Sequence, residues 1–211
     1  MFYSFARGIV RVLLFLINGN AHYINKEKLP EGSYILVGPH RTWFDPLYFA
    51  LAGSPKKFSF MAKKELFVNP ILRYILIHAN AFPVDRENPG PSTIKTPVKF
   101  LKKGELSLIM FPSGTRHSEE LKGGSLLIAR MAQVPLVPAV YQGPLTLKQL
   151  FSRKRVTVSF GDPIYLDKKT KLTDEVQTEM DTQLMAAFQK LDTEINPNFK
   201  YVDPHKSKNN N

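Results

Sequence analysis

The chain has 211 residues, 43% of them hydrophobic, which suits one domain with a sizeable buried core. It contains no cysteine, and this excludes disulfides, thiolate metal sites and an acyl-cysteine intermediate. Its 29 basic and 18 acidic residues leave a formal charge of +11, which attracts polyanions: nucleic acid, anionic lipid headgroups, phosphorylated substrates or an acidic carrier protein.

The chain opens with MFYSFARGIVRVLLFLIN. Its longest uninterrupted apolar run, residues 12–17, is about a third of the roughly 20 residues a bilayer crossing needs. Arg7 and Arg11 interrupt the apolar region and no A-x-A cleavage pattern follows, so a signal peptide fits poorly. On a helix turning about 100° per residue, Ser4, Arg7, Arg11 and Asn18 share one narrow stripe, with nearly everything else apolar. The pattern predicts an N-terminal amphipathic helix, residues 1–20, lying in the membrane interface with its arginines at headgroup phosphates. It suits equally a helix packed on the protein's own core.

Residues 34–37 form a short apolar run ended by Gly38 and Pro39, a buried strand entering the turn that carries His40. Asp45-Pro46 then offers a helix start, with Asp45 as cap and Gly53 closing PLYFALAG. Further strands are expected at 58–61, 81–84, 106–111, 136–141 and 156–160, with helices at 70–77, about 92–103 and 124–132. Pro97 would delay the second of these helices and leave Thr96 as its cap. The alternation predicts an α/β fold over residues 21–196, a single layered domain with a mostly parallel or mixed sheet flanked by helices. Over residues 174–195, Val176, Met180, Leu184, Phe188 and Leu191 recur at three and four residues, an amphipathic helix packed on the domain. Residues 197–211 turn to proline, lysine and asparagine and read as a mobile polar tail.

His40 follows a strand end, where α/β sheets gather their sites, and Asp45 comes after four intervening residues. A turn can fold the two together, so that a carboxylate holds the imidazole Nδ1–H and Nε2 takes a proton from a hydroxyl. The spacing alone is common; Asp45 also reads as a helix cap and His40 as a satisfied turn histidine. In FPSGTRHS, Pro112 and Gly114 break the strand and free backbone N–H groups. Thr115, Arg116 and Ser118 add hydroxyls and a fork-shaped cation, a loop that suits a phosphate or, equally, a solvated basic turn. AFPVDRE brings Asp85 and Arg86 to another strand end, and FMAKKELF brings Lys63 and Lys64; each alone reads as ordinary exposed charge. Parallel strands of one sheet, however, place their carboxyl ends along one edge, where a base and several cations would converge.

Four blocks carry a family resemblance: GPHRTWFD from Gly38, FPVDRE from Phe82, FPSGTR from Phe111 and VPLVPA from Val134. In this order they resemble the H-x-x-x-x-D, F-x-D-R type, F-P-E-G-T-R and V-P-I-V-P blocks of the glycerolipid acyltransferase family, and the AKKELF segment is also similar to that family. The resemblance implies transfer of a fatty acyl group from a thioester, acyl-CoA or acyl carrier protein, to the sn-2 hydroxyl of 1-acylglycerol 3-phosphate, giving phosphatidic acid. It implies His40 as general base, Asp45 as its partner, and Lys63 or Lys64 with Arg86, Gly114, Thr115 and Arg116 at the acceptor phosphate. No metal or cofactor is implied beyond the thioester co-substrate. The implied partners are the membrane surface with its lysophospholipid, at the cytoplasmic face, and an acyl carrier protein as the other donor. Nucleic acid is not among them, because the basic residues are dispersed without aromatic interleaving. Ser113 departs from the pattern where the family often has glutamate, which removes a negative charge beside the phosphate loop. Glycerol 3-phosphate or another lysophospholipid as acceptor stays open, as does a non-catalytic anionic-lipid-binding protein.

Overall fold

Short apolar runs, most of them ended by glycine, proline or charge, build all of the sheet except its first strand. The computed structural model describes residues 2–85, 87–113 and 123–203. Its strands are β1 (His22–Ile24), β2 (Ile35–Val37), β3 (Phe58–Lys63), β4 (Ala81–Val84), β5 (Ser107–Met110), β6 (Leu136–Gln142) and β7 (Thr157–Phe160). They form one sheet in the order β1-β7-β6-β2-β5-β3-β4. The five strands from β6 to β4 in that order are parallel, whereas β7 runs antiparallel to β6 and β1 follows β7. The expected mostly parallel α/β architecture is therefore present. β1 was not anticipated: it is three exposed residues held by one neighbour, too short to show a period.

The helices are α1 (Phe2–Asn18), α2 (Asp45–Ala52), α3 (Pro70–His78), α4 (Ser92–Lys102), α5 (Gly124–Ala132), α6 (Leu147–Leu150) and α7 (Asp174–Ile195). Alternation along β2 feeds two cores. Tyr34 and Leu36 face the side covered by α1 and α2, with Leu14, Phe44, Phe49 and Tyr141. Ile35 and Val37 face the side covered by α4, α5 and α7, with Leu101, Ile128, Leu184 and Phe188. Side chains pointing to opposite faces at successive positions require this division. α4 starts at Ser92, within the expected bounds, but it runs through Pro97 instead of being delayed by it to a Thr96 cap. Pro97 lies in its second turn, so it forgoes a single helical hydrogen bond, and its ring is buried.

α1 packs with Tyr3, Leu14 and Asn18 buried and Arg7 half-buried against the domain, while Ser4 and Arg11 of the expected stripe are exposed. The Arg7 guanidinium donates to the carbonyls of Lys56 at 2.6 Å and Pro55 at 3.3 Å, and Asn18 donates to the Lys154 carbonyl at 2.9 Å. The Phe58 N–H donates to the Tyr3 hydroxyl. Loop carbonyls of the domain thus take Arg7, one of the two arginines expected at headgroups, whereas Arg11 stays exposed, and Phe5, Val12, Leu13, Phe15 and Leu16 point outward. Among the described residues, no helix is long and apolar enough to cross a membrane. The C-terminal expectation also changes: residues 197–203 fold back on the domain, with the Phe199 and Tyr201 rings against Arg41 and Asp203 buried. Two aromatic rings and a buried cation hold this first part of the expected mobile tail, and residues 204–211 lie outside the described residues.

Candidate active site

Register decides what the sheet brings together. Val37 lies opposite Met110 of β5 and Pro138 of β6, Ile109 opposite Phe60 of β3, and Lys63 opposite Val84 of β4. Along one edge, β2 therefore leads to His40, β5 to Phe111 and Ser113, β3 to Lys63 and Lys64, and β4 to Asp85. This is the edge at which open α/β sheets hold their ligands. Gly38 directs the chain out of β2. A Cβ there would stand 2.4 Å from the Ala139 carbonyl oxygen and 2.9 Å from the Phe49 ring, so only glycine lets the turn pass between β6 and α2.

Asp45 opens α2 as its first residue, yet its carboxylate turns backward. Oδ2 accepts from the Arg41 N–H at 2.7 Å and the Thr42 N–H at 2.8 Å, and His40 Nδ1 lies 3.2 Å from the same oxygen. The expected helix cap is thus replaced by a clamp on the preceding turn. Asp45 is fully buried, and Oδ1 has no hydrogen-bond partner among the described residues. Burial pushes its pKa up, against the opposing pull of the contacts from His40, Thr42 and Arg41.

His40 is held in a second direction by Phe111, whose ring stacks on the imidazole at 4.1 Å between centroids and 18° between planes. Phe111 stacks in turn on Phe49 of α2. With Nδ1 turned to a carboxylate and one face covered, the neutral imidazole carries its proton on Nδ1. Nε2 is then the lone pair left to accept a proton, on a side chain that is 13% exposed and so reachable from outside.

The two expected cations that lie among the described residues, Lys63 and Lys64, have acidic partners. Lys64 Nζ lies 2.5 Å from Asp85 Oδ2, and this contact first, then the Asn88 N–H, holds the Asp85 carboxyl down to about 2 while raising Lys64. Asp85 Oδ1 accepts from the N–H groups of Glu87 and Asn88 at 3.0 Å each. Lys63 pairs with Glu65 at 3.7 Å. β5 separates β3 from β2, so the lysines stand two strand spacings, roughly 10 Å, along the edge from the strand that carries His40. Ser113 is buried, while Arg86, Gly114, Thr115, Arg116 and Ser118 lie outside the described residues.

Sequence reasoning missed two features. Phe111 was legible as the first residue of the FPSGTR block, but only the adjacency of β5 to β2 puts its ring on His40. The second is an ion pair between buried Arg41 and part-buried Asp192, residues 151 positions apart, which no local spacing could reveal.

A family model described as Acyltransferase matches residues 20–142. A 1-acyl-sn-glycerol-3-phosphate acyltransferase of Streptococcus pneumoniae (strain ATCC BAA-255 / R6) is 53% identical over 196 residues, covering 92% of this chain and 74% of that protein. One of the same name from Bacillus subtilis (strain 168) is 46% identical over 166 residues, covering 77% and 82%. The crystal structure of the 1-acyl-sn-glycerophosphate (LPA) acyltransferase PlsC from Thermotoga maritima superposes with a TM-score of 0.69 over 94% of this chain and 81% of that one; at 20% identity it speaks for the fold. Since the matched stretch runs from before β1 to the last residue of β6, and thus over every strand end that builds the His40 edge, the chain belongs to the acyltransferase family.

Proposed function

We propose that this acyltransferase moves a fatty acyl group from an acyl-CoA or acyl carrier protein thioester to the sn-2 hydroxyl of 1-acylglycerol 3-phosphate, forming phosphatidic acid. The observation that carries the reading is the His40–Asp45 geometry: an imidazole fixed at Nδ1 by a buried carboxylate and on one face by Phe111, which leaves Nε2 without a hydrogen-bond partner among the described residues. The names borne by the two bacterial relatives support the same acceptor.

Nε2 of His40 takes the hydroxyl proton as the oxygen attacks the thioester carbonyl. The new C–O bond forms, the C–S bond breaks, and the departing thiolate takes the proton back from the imidazolium to leave as thiol. Asp45 stabilises the imidazolium between the two transfers. Lys63 or Lys64, with Arg86, Gly114, Thr115 and Arg116, receives the acceptor phosphate. Because Asp85 already engages Lys64, the residues contributed by the FPSGTR block carry more of that task. The thioester is the co-substrate, and the protein takes no further cofactor.

The enzyme works on the cytoplasmic face of a membrane, the side that holds its thioester donors. The outward residues of α1 support this placement, and so does α3, where Ile71, Tyr74 and Ile75 are exposed. Phe2 of α1 contacts the rings of Tyr74 and His78, so the two apolar faces adjoin. Such a surface suits burial at the boundary of headgroups and acyl chains, where acceptor and product both reside.

The test is turnover of purified protein with labelled acyl-CoA and acyl carrier protein donors against lysophosphatidic acid, glycerol 3-phosphate and other lysophospholipids. The expected result is product with lysophosphatidic acid, lost by orders of magnitude in His40→Ala while acceptor binding persists. Preference for another acceptor overturns the substrate, and near-normal turnover in His40→Ala overturns the base.

A further inference from the structure

Arg41 follows the base directly, yet its side chain leaves the ligand edge and enters the protein. It is 7% exposed. Its guanidinium donates to the Tyr141 carbonyl at 2.7 Å and to Asp192 Oδ1 at 2.9 Å, with a second donation to Asp192 Oδ2. Asp192, near the end of α7, is also bound by Gln142 Nε2, which donates to its Oδ1 at 2.9 Å and its backbone carbonyl at 2.8 Å. Phe199 and Tyr201 cover the guanidinium at 4.8 and 5.7 Å from their ring centroids, and the Tyr201 hydroxyl donates to the Arg41 carbonyl at 3.4 Å.

These contacts tie the turn at 39–45 to the end of β6, to α7 and to the C-terminal segment. They matter for the base because the Arg41 N–H is one of two amides that, among the described residues, hold Asp45 Oδ2. A guanidinium anchored in two directions fixes its own peptide plane, that plane aims an N–H at the carboxylate, and the carboxylate aims His40. A bidentate pair withdrawn from water contributes little net stability over apolar groups of similar size, and this one, with Arg41 buried and Asp192 part-buried, acts through its planar fork, which sets direction strictly. Arg41 is unsuited to hold the acceptor phosphate, since its guanidinium is already engaged by Asp192 and sealed by two rings.

We infer that Arg41 is a positioning residue for the acyl transfer: clamped by Asp192, Phe199 and Tyr201, it aligns the His40–Asp45 pair, so α7 and the C-terminal segment belong to the catalytic apparatus. This rests on His40 acting as the base. Asp192 and the two rings lie beyond the stretch matched by the family model, so the clamp lies outside what that match describes.

The experiment compares Arg41→Lys, Asp192→Glu and the apolar pair Arg41→Met/Asp192→Leu with the parent enzyme, recording the melting temperature, kcat and the acceptor KM, with His40→Ala assayed in parallel. Lysine keeps the charge and loses the fork, and glutamate keeps the carboxylate but displaces it by one methylene; the apolar pair removes both charges and preserves stability. The expected result is a melting temperature near that of the parent in the apolar pair, kcat lowered about 10- to 100-fold in all three, and an acceptor KM within about twofold. Parental kcat in any folded variant, or recovery of kcat together with stability in the apolar pair, overturns the positioning role and leaves a purely structural ion pair. Should the apolar pair fail to fold, the two charge-keeping variants decide by the same criterion. Active His40→Ala removes the base reading itself, whereas inactive His40→Ala beside a fully active apolar pair removes the clamp alone.

Discussion

Asp45→Asn separates what the carboxylate does for the fold from what it does for the chemistry. Asparagine keeps an oxygen where Oδ2 accepts from the Arg41 and Thr42 N–H groups at 2.7 and 2.8 Å, so the turn keeps its backbone anchors. Lost is the negative charge 3.2 Å from His40 Nδ1. At an effective dielectric near 20, a full charge at that distance stabilises an imidazolium by about 5 kcal/mol, close to four decades of rate. Proton transfer is incomplete in the transition state, so the expected fall in kcat is about 100- to 10,000-fold. The acceptor KM should change little, because Asp45 is buried away from the edge.

Stability moves the other way. Burial raises the folded-state pKa of Asp45 above its ordinary value of 3.8. The folded state therefore prefers the protonated carboxyl, and that preference is fully present below pH 3.8 and lost as pH rises through the folded-state value. The native enzyme should thus melt below the Asn variant at neutral pH, with the gap narrowing as pH falls. Initial rates with labelled donor and thermal melts over a pH series measure both effects. A folded Asp45→Asn protein with kcat within about threefold of the parent would refute the charge-stabilised base, and a gap that narrows with rising pH would refute the burial account.

Gly38→Ala must push against the Ala139 carbonyl; a loss of about 1–3 kcal/mol of stability with reduced kcat is expected, and an unchanged melting temperature would show that the turn has room. Phe111→Leu removes the ring stacked on His40, costing about 0.5–1.5 kcal/mol and lowering kcat roughly tenfold at constant acceptor KM; full activity would mean that Asp45 alone orients the imidazole. Replacing exposed Phe15 and Ile71 together by glutamate should lower binding to anionic phospholipid vesicles about 100-fold without lowering the melting temperature. Undiminished binding would show that the α1 and α3 faces do not dock on the bilayer.

Most of the core strands were legible because each is an apolar run with a strong terminator: Gly38 and Pro39 end β2, and charged residues end β3. α7 was legible from its apolar spacing alone, and the structure adds Thr173 as its cap. β1 was not, since three exposed residues carry no pattern. Pro97 misled because a proline in the second turn of a helix costs one bond that burial offsets. Arg7 misled for a related reason: an amphipathic stripe fixes which residues lie together but leaves open whether protein carbonyls or headgroups receive them.

Of the site, the sequence by itself determined the chemical parts and their order: His40 and Asp45 in one turn, and lysines and acids at later strand ends. These are local properties, set by residue type and by where a strand must stop. The tertiary structure decided how the parts meet. The order β2-β5-β3-β4 puts Phe111 beside His40 and sets Lys64 against Asp85 two strands away. Chain reversal sends the Asp45 carboxylate back onto its own turn, and the end of α7 brings Asp192 to Arg41. Such pairings depend on sheet register and helix docking, which many distant contacts fix together and no short stretch of sequence records.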